Sequence, residues 1–139
     1  MKKVLTILLF ASLVVACKKI TPNNVEKTMT EGTWKVTLFS EDGVNETFHF
    51  SGYSFVFNEN SQVTAENGSI TMNGTWSVSN DSSDDDSSSD IDFNLSFDAL
   101  NNFDELTDDW DIISRTDSKI ELEDTSGDGS IDKLTFEKI

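Results

Sequence analysis

The groups in this chain able to do chemistry are few in kind: one thiol at Cys17, one imidazole at His49, and 26 carboxylates. His49 stands between Phe48 and Phe50. An imidazole base activates a nucleophile only when a third group orients it, and the sequence carries no Gly-x-Ser-x-Gly or comparable arrangement. A zinc site built on N and S donors needs three or four of them, more than one histidine and one cysteine supply. Asp109 and Asp111 flank Trp110, but the other acids fall mainly in turns and on the polar side of strands, so no paired-carboxylate site stands out. The expectation is a protein that is not an enzyme and has no cofactor, with His49 on a rim or at the surface. The run Asp124 to Asp132 matches part of a calcium loop, with oxygens at Asp124, Ser126, Asp128 and Asp132 and a glycine at Gly129. Calcium wants six to eight oxygens, and the position of the usual bidentate Glu is Thr135, inside a strand. The favoured reading is a hairpin turn joining Lys119–Glu123 to Asp132–Lys138. Asp84, Asp85 and Asp86 read as part of a solvated loop.

The elements that must position these groups are strands. Ile91, Phe93, Leu95 and Phe97 alternate without error with Asp92, Asn94 and Ser96. Trp34, Val36 and Leu38 share one face, as do Ile70, Met72, Gly74, Trp76 and Val78. Ile120 with Leu122, and Leu134 with Phe136, repeat the pattern. Period two with polar partners predicts half-buried antiparallel strands. Shorter strands are predicted at Thr47–Phe50, Tyr53–Asn58, Gln62–Glu66 and Trp110–Ser114, making eight or nine in all. Asn24–Thr30, after Pro22, predicts a short helix that plugs one end, and Ala99–Leu106 a second short helical piece. The polar run Asn80–Asp90 predicts a long loop. Strands in simple sequence order predict an all-β fold, a small antiparallel up-and-down barrel of about eight strands, with a two-sheet β-sandwich as the alternative.

The amino terminus has a different character. Met1-Lys2-Lys3 precedes an apolar run from Val4 to Val15, too short at 12 residues to span a membrane. Val14-Val15-Ala16-Cys17 resembles the lipobox of bacterial lipoproteins. The resemblance implies a signal peptide over 1–16 and acylation of Cys17, with palmitate among the attached chains. Several chains hold a protein stably where one does not. The implied address is the cell envelope, lipid-anchored at the outer membrane, with the periplasmic and surface sides both open. Residues 17–31 then form a tether with the short helix, and 32–139 the barrel domain. Loss of Lys2 and Lys3 takes ten basic side chains to eight against 26 acidic ones, and the formal charge from −16 to −18. A domain this acidic repels nucleic acid.

Gly32-Thr33-Trp34 at the start of the first strand resembles the Gly-x-Trp signature of lipocalins, and Gly74-Thr75-Trp76 echoes it. Tyr53–Asn58 followed by Ser61–Thr64, and the ending Leu134–Lys138, are similar to bacterial lipocalin-like lipoprotein domains. The likeness covers roughly 32 to 139 and lacks the usual C-terminal helix. It implies that Trp34 packs across the closed end beneath a basic residue, for which Lys138 is the candidate. It also implies a small apolar ligand in the barrel mouth, lined by Trp34, Phe55, Phe57, Trp76, Phe93 and Trp110. Alternation does not measure volume, so the same rings, with Phe97, fit a filled barrel equally. Two functions follow: a carrier of a small apolar ligand, or a non-enzymatic structural or protein-interaction module with a partner yet to be found.

Overall fold

The uninterrupted alternation of Ile91, Phe93, Leu95 and Phe97 becomes strand β6 (Ile91–Phe97), and all four side chains are buried in the computed structural model. The structure describes residues 16–80 and 91–139. The expected signal segment up to Val15 and the polar run 81–90, with Asp84, Asp85 and Asp86, lie outside the described residues. The remaining strands are β1 (Trp34–Glu41), β2 (Val44–Asn45), β3 (Ser54–Phe57), β4 (Gln62–Glu66), β5 (Thr71–Asn80), β7 (Asp108–Arg115), β8 (Lys119–Thr125) and β9 (Ile131–Lys138). Each pairs antiparallel with its neighbour, and β1 also pairs with β9. Eight strands therefore close into a barrel, with β2 a short addition at the end of β1. The closed sheet replaces the two-sheet alternative, with β1–β9 pairing joining the first strand to the last.

Helix α1 (Pro22–Thr30) starts as its sequence dictates. Pro22 occupies the first turn, where its missing N–H costs nothing, and Thr21 Oγ1 accepts from the Asn24 N–H at 3.3 Å. Val25 and Met29, one turn apart, face inward and are fully buried, so α1 plugs one end of the barrel as expected.

Two β-bulges alter the faces that simple alternation assigns. The register of β1 on β9 shifts between Val36 and Leu38, so Phe39 is fully buried while Leu38 is only half-buried. An extra residue in one strand moves every later side chain to the opposite face. In β7 the shift falls between Ile112 and Ser114. Ile113 is turned outward and Arg115 inward.

The segment Thr47–Phe50 is not the strand its alternation predicts; it is a 3-10 turn. Thr47 explains why. Its hydroxyl accepts from the Phe39 N–H at 2.9 Å and donates to the Phe39 carbonyl at 3.3 Å, supplying what a paired strand would. A second 3-10 turn, Asn102–Leu106, lies within the helical piece expected there and is followed by Thr107. The Thr107 hydroxyl binds Phe97 in the same two-handed way, at 2.9 and 3.3 Å.

Gly74 faces Phe97 across the β5–β6 ladder. A Cβ there would stand 2.8 Å from the Phe97 ring and closer still to the Ser96 carbonyl oxygen. The strands approach so closely only because this residue has no side chain. Gly74→Ala is expected to destabilise the fold by about 1–3 kcal/mol through overpacking, read as a lower midpoint in urea unfolding with an unchanged slope.

Candidate functional site

Three places in the barrel bear on function: the interior, the end next to Cys17, and the opposite mouth. The interior holds all six residues expected to line a pocket, and all six are buried. Phe57 meets Trp76 at 5.3 Å and Phe93 at 5.8 Å between ring centroids, and Trp76 meets Phe93 at 5.8 Å. Phe136 completes the group, 5.2 Å from Phe55 and 5.4 Å from Phe57. Most of these contacts are edge-to-face, the favourable arrangement for packed rings. Four of the six, Phe55, Phe57, Trp76 and Phe93, are therefore brought together, and they occupy the space between them. Trp34 and Trp110 stand beside this group as cross-strand partners, Trp34 of Phe55 and Trp110 of Phe93, and each indole is tethered by its own bond. Trp34 Nε1 donates to the Met29 carbonyl and Trp110 Nε1 to the Leu106 carbonyl, each at 3.0 Å. Trp76 Nε1 donates likewise to the Asn58 carbonyl.

The mouth is closed by the two 3-10 turns. Phe50 of the first and Phe103 of the second meet at 5.4 Å, edge to face. Phe50 also packs on Phe39, and Phe103 on Tyr53, Phe55 and Phe97. Beside this plug lies a polar cluster. His49 Nδ1 is 3.4 Å from Glu105 Oε2 and 3.9 Å from Glu46 Oε2. His49 thus sits on a rim, as expected, but half-buried and faced by carboxylates. Its partner Glu46 stands three residues away, a spacing visible in the sequence, whereas Glu105 reaches it only through the fold. Burial pushes the Glu41 carboxyl above its usual range, and the nearby charges of Glu105, Glu46 and Asp132 add to the effect. Phe48 and Leu100 are exposed at this end.

At the opposite end Cys17 is exposed and the chain leaving it is held to the barrel. The Lys18 N–H donates to the Arg115 carbonyl at 2.8 Å, and Lys18 Nζ pairs with Asp117 at 2.6 Å. Arg115, turned inward by the β7 bulge, donates to the Lys19 carbonyl at 2.9 Å and to the Thr28 hydroxyl. One guanidinium therefore joins the tether, α1 and β7. Lys18, Lys19, Lys27 and Arg115 border a groove of about 500 Å³ with Glu31 and Asp117. A groove of about 620 Å³ runs between α1 and the β3–β4 turn, lined by polar side chains and the edge of Trp76.

Lys138 takes the place expected of it, with Nζ 5.1 Å from the Trp34 ring centroid. Gly32 makes this possible. It has φ +124°, and a Cβ there would press on the Lys138 stem at 3.2 Å. Lys138→Ala is expected to cost about 0.5–1 kcal/mol, measured by urea unfolding followed through tryptophan fluorescence.

Residues Asp124, Ser126, Asp128 and Asp132 belong to the β8–β9 hairpin and its turn. Asp128 accepts from the N–H and hydroxyl of Ser130, and Asp132 from the Asp42 N–H. These bonds serve the turn and its neighbouring hairpin.

Comparison of the chain with protein-family models, with curated proteins and with solved structures gives no match. Among the described residues no helix is long and apolar enough to cross a membrane.

The outer face of the barrel carries like charges side by side. Asp111 is the cross-strand partner of both Asp92 and Glu123. Burial, then the charges of Asp124, Asp109 and Glu123, raise its carboxyl above the usual range. A raised pKa means that the folded state binds the proton more tightly than the unfolded chain. The resulting penalty is complete above the folded value and disappears as pH falls through it towards the ordinary value near 4. Asp111→Asn should therefore raise stability at pH 7 by roughly 0.2–1 kcal/mol, with the gain shrinking in urea titrations as pH falls towards about 4 and absent below it.

Proposed function

We propose that this chain is a lipocalin-like lipoprotein of the bacterial cell envelope, anchored through acylated Cys17, whose filled barrel serves as a non-enzymatic interaction module. The observation that carries this reading is the packed interior. Phe55, Phe57, Trp76, Phe93 and Phe136 touch one another, α1 covers one end, and Phe50 with Phe103 covers the other. A carrier of an apolar molecule presents a concave site of about 300–1,000 Å³. The grooves of that size described above lie against α1 and the tether and are bordered mainly by charged and polar residues, apart from Trp76. The resemblance to lipocalins rests on the closed barrel and on the Gly32, Trp34 and Lys138 arrangement.

The anchoring half of the proposal rests on the sequence around Cys17 and gains from the clamp behind it. With Lys18 and Lys19 bonded to β7, acyl chains on Cys17 would set the α1 end of the barrel against the bilayer. The acidic mouth would then point away, towards a partner carrying basic or metal-bound groups.

Two measurements test the proposal. Intact mass of the membrane-extracted protein is expected to match a chain beginning at acylated Cys17, and Cys17→Ser to lose that species. An unmodified chain with residues 1–16 retained would overturn the anchor. Native mass spectra after exposure to an envelope lipid extract are expected to contain the bare barrel at unchanged thermal midpoint. A bound species of defined mass that raises the midpoint and is lost in a folded Trp76→Arg variant would overturn the filled-barrel reading in favour of the carrier.

A further inference from the structure

The plugged mouth holds a donor set that packing does not explain. Glu46 and His49 come from one 3-10 turn and its entry, and Glu105 from the other turn. One donor atom from each of the three lies within 4.8 Å of the others. His49 Nδ1 and Glu105 Oε2 are sealed from solvent, face each other at 3.4 Å, and make no hydrogen bond. Unpartnered buried polar atoms are uncommon in folded proteins, and a missing ion is one of their recognised causes.

The spacing fits a metal. Donors at about 2.0–2.2 Å from a tetrahedral zinc stand roughly 3.4 Å from one another. The His49–Glu105 separation, 3.4 Å, equals that figure; His49–Glu46, 3.9 Å, exceeds it by half an ångström, and all three donors lie within 4.8 Å, so a side-chain adjustment closes the site. The charge fits as well. Two carboxylates and a neutral imidazole balance a dication, and Glu41 and Asp132 add negative potential nearby. Donor type narrows the choice, because calcium and magnesium take oxygen ligands while an imidazole nitrogen selects a borderline transition metal. Carboxylates thus supply the donors that one histidine and one cysteine could not.

We propose that Glu46, His49 and Glu105 bind one divalent transition-metal ion of the zinc class, with water completing the coordination. The ion staples the two turns that close the mouth, alongside the Phe50–Phe103 contact. The competing account is an ion pair between protonated His49 and the two glutamates.

The test uses the full chain in detergent, without a histidine tag, and zinc sulfate as probe. His49 is the only histidine, so long-range ¹H–¹⁵N spectra contain one imidazole pattern. One equivalent of zinc is expected to move the Nδ1 resonance, leave Nε2 protonated, and raise the thermal midpoint. Calcium at the same concentration is expected to leave the imidazole unmoved. His49→Gln should weaken zinc binding by about 100-fold or more in calorimetric titration, while Asp128→Asn in the β8–β9 turn leaves it unchanged. An imidazole unmoved at stoichiometric zinc, or a His49→Gln variant that binds zinc as tightly as the parent, would overturn the site. Should His49→Gln fail to fold, the spectrum of the parent chain decides alone.

Discussion

The pairing of β1 with β9 is the constraint on which the rest of the molecule depends. β1 meets β3 through a single register pair, Trp34 with Phe55, but meets β9 along nearly its whole length. Without β9, the first strand would have almost no ladder. The same pairing sets Trp34 opposite Lys138, brings the Lys138 ammonium over the indole, and requires Gly32 to lack a side chain. It also fixes the circumference of the barrel, and with it the volume that the interior rings must fill. The bulge after Val36 belongs to this closure. It bends β1 enough to follow the barrel wall and delivers Phe39, instead of Leu38, to the plug at the mouth.

A barrel with one cysteine cannot use an internal disulfide, so its ends must be held by other means. The described residues use the same device twice. Thr47 and Thr107 each bond both backbone groups of a phenylalanine, Phe39 and Phe97, at positions where a strand has lost its partner. Each hydroxyl satisfies the phenylalanine N–H and adds a bond to its carbonyl, which in Phe39 also accepts from the Glu46 N–H. The tryptophans extend the principle, since all three indole N–H groups end on backbone carbonyls of non-strand segments. Large apolar surfaces and specific polar tethers therefore come from the same side chains.

Much of the fold was legible because half-buried strands write their period into the sequence. β6 and the β8–β9 hairpin fall where alternation places them, and Pro22 ahead of Asn24–Thr30 announces the plug at the α1 end. The errors have physical causes. A bulge leaves no compositional trace, so the inward turn of Phe39 and Arg115 was invisible. Thr47–Phe50 alternates like a strand, yet a threonine hydroxyl outcompetes the ladder there. The aromatic residues were identified correctly as interior, but pattern carries no information about whether rings meet or leave a gap. The His49 cluster was half readable: Glu46 lies within one turn in sequence, while Glu105 arrives only when the two mouth turns pack through Phe50 and Phe103.

Basic and acidic side chains alternate at the α1 end, whereas the mouth gathers carboxylates around one imidazole. Lys18, Lys19, Lys27 and Arg115 gather beside Cys17, interleaved with Glu31 and Asp117, and Lys138 lies over Trp34 at the same end. Glu41, Glu46, Glu105 and Asp132 crowd the other end, close enough that each of the other three raises the Glu41 carboxyl. A random scatter of 26 acids over a small barrel would lower its self-repulsion, so this concentration works against stability. Packing tolerates the cost because the plug beneath is made of buried rings, Phe50 against Phe103, and does not rely on charge. A repulsive cluster on a packed frame is pre-organised for a cation, since the carboxylates need not be gathered when it binds and their mutual repulsion is relieved as it does. The same reasoning applies whether the cation is a metal ion between the two turns or a basic group on a partner that approaches the mouth.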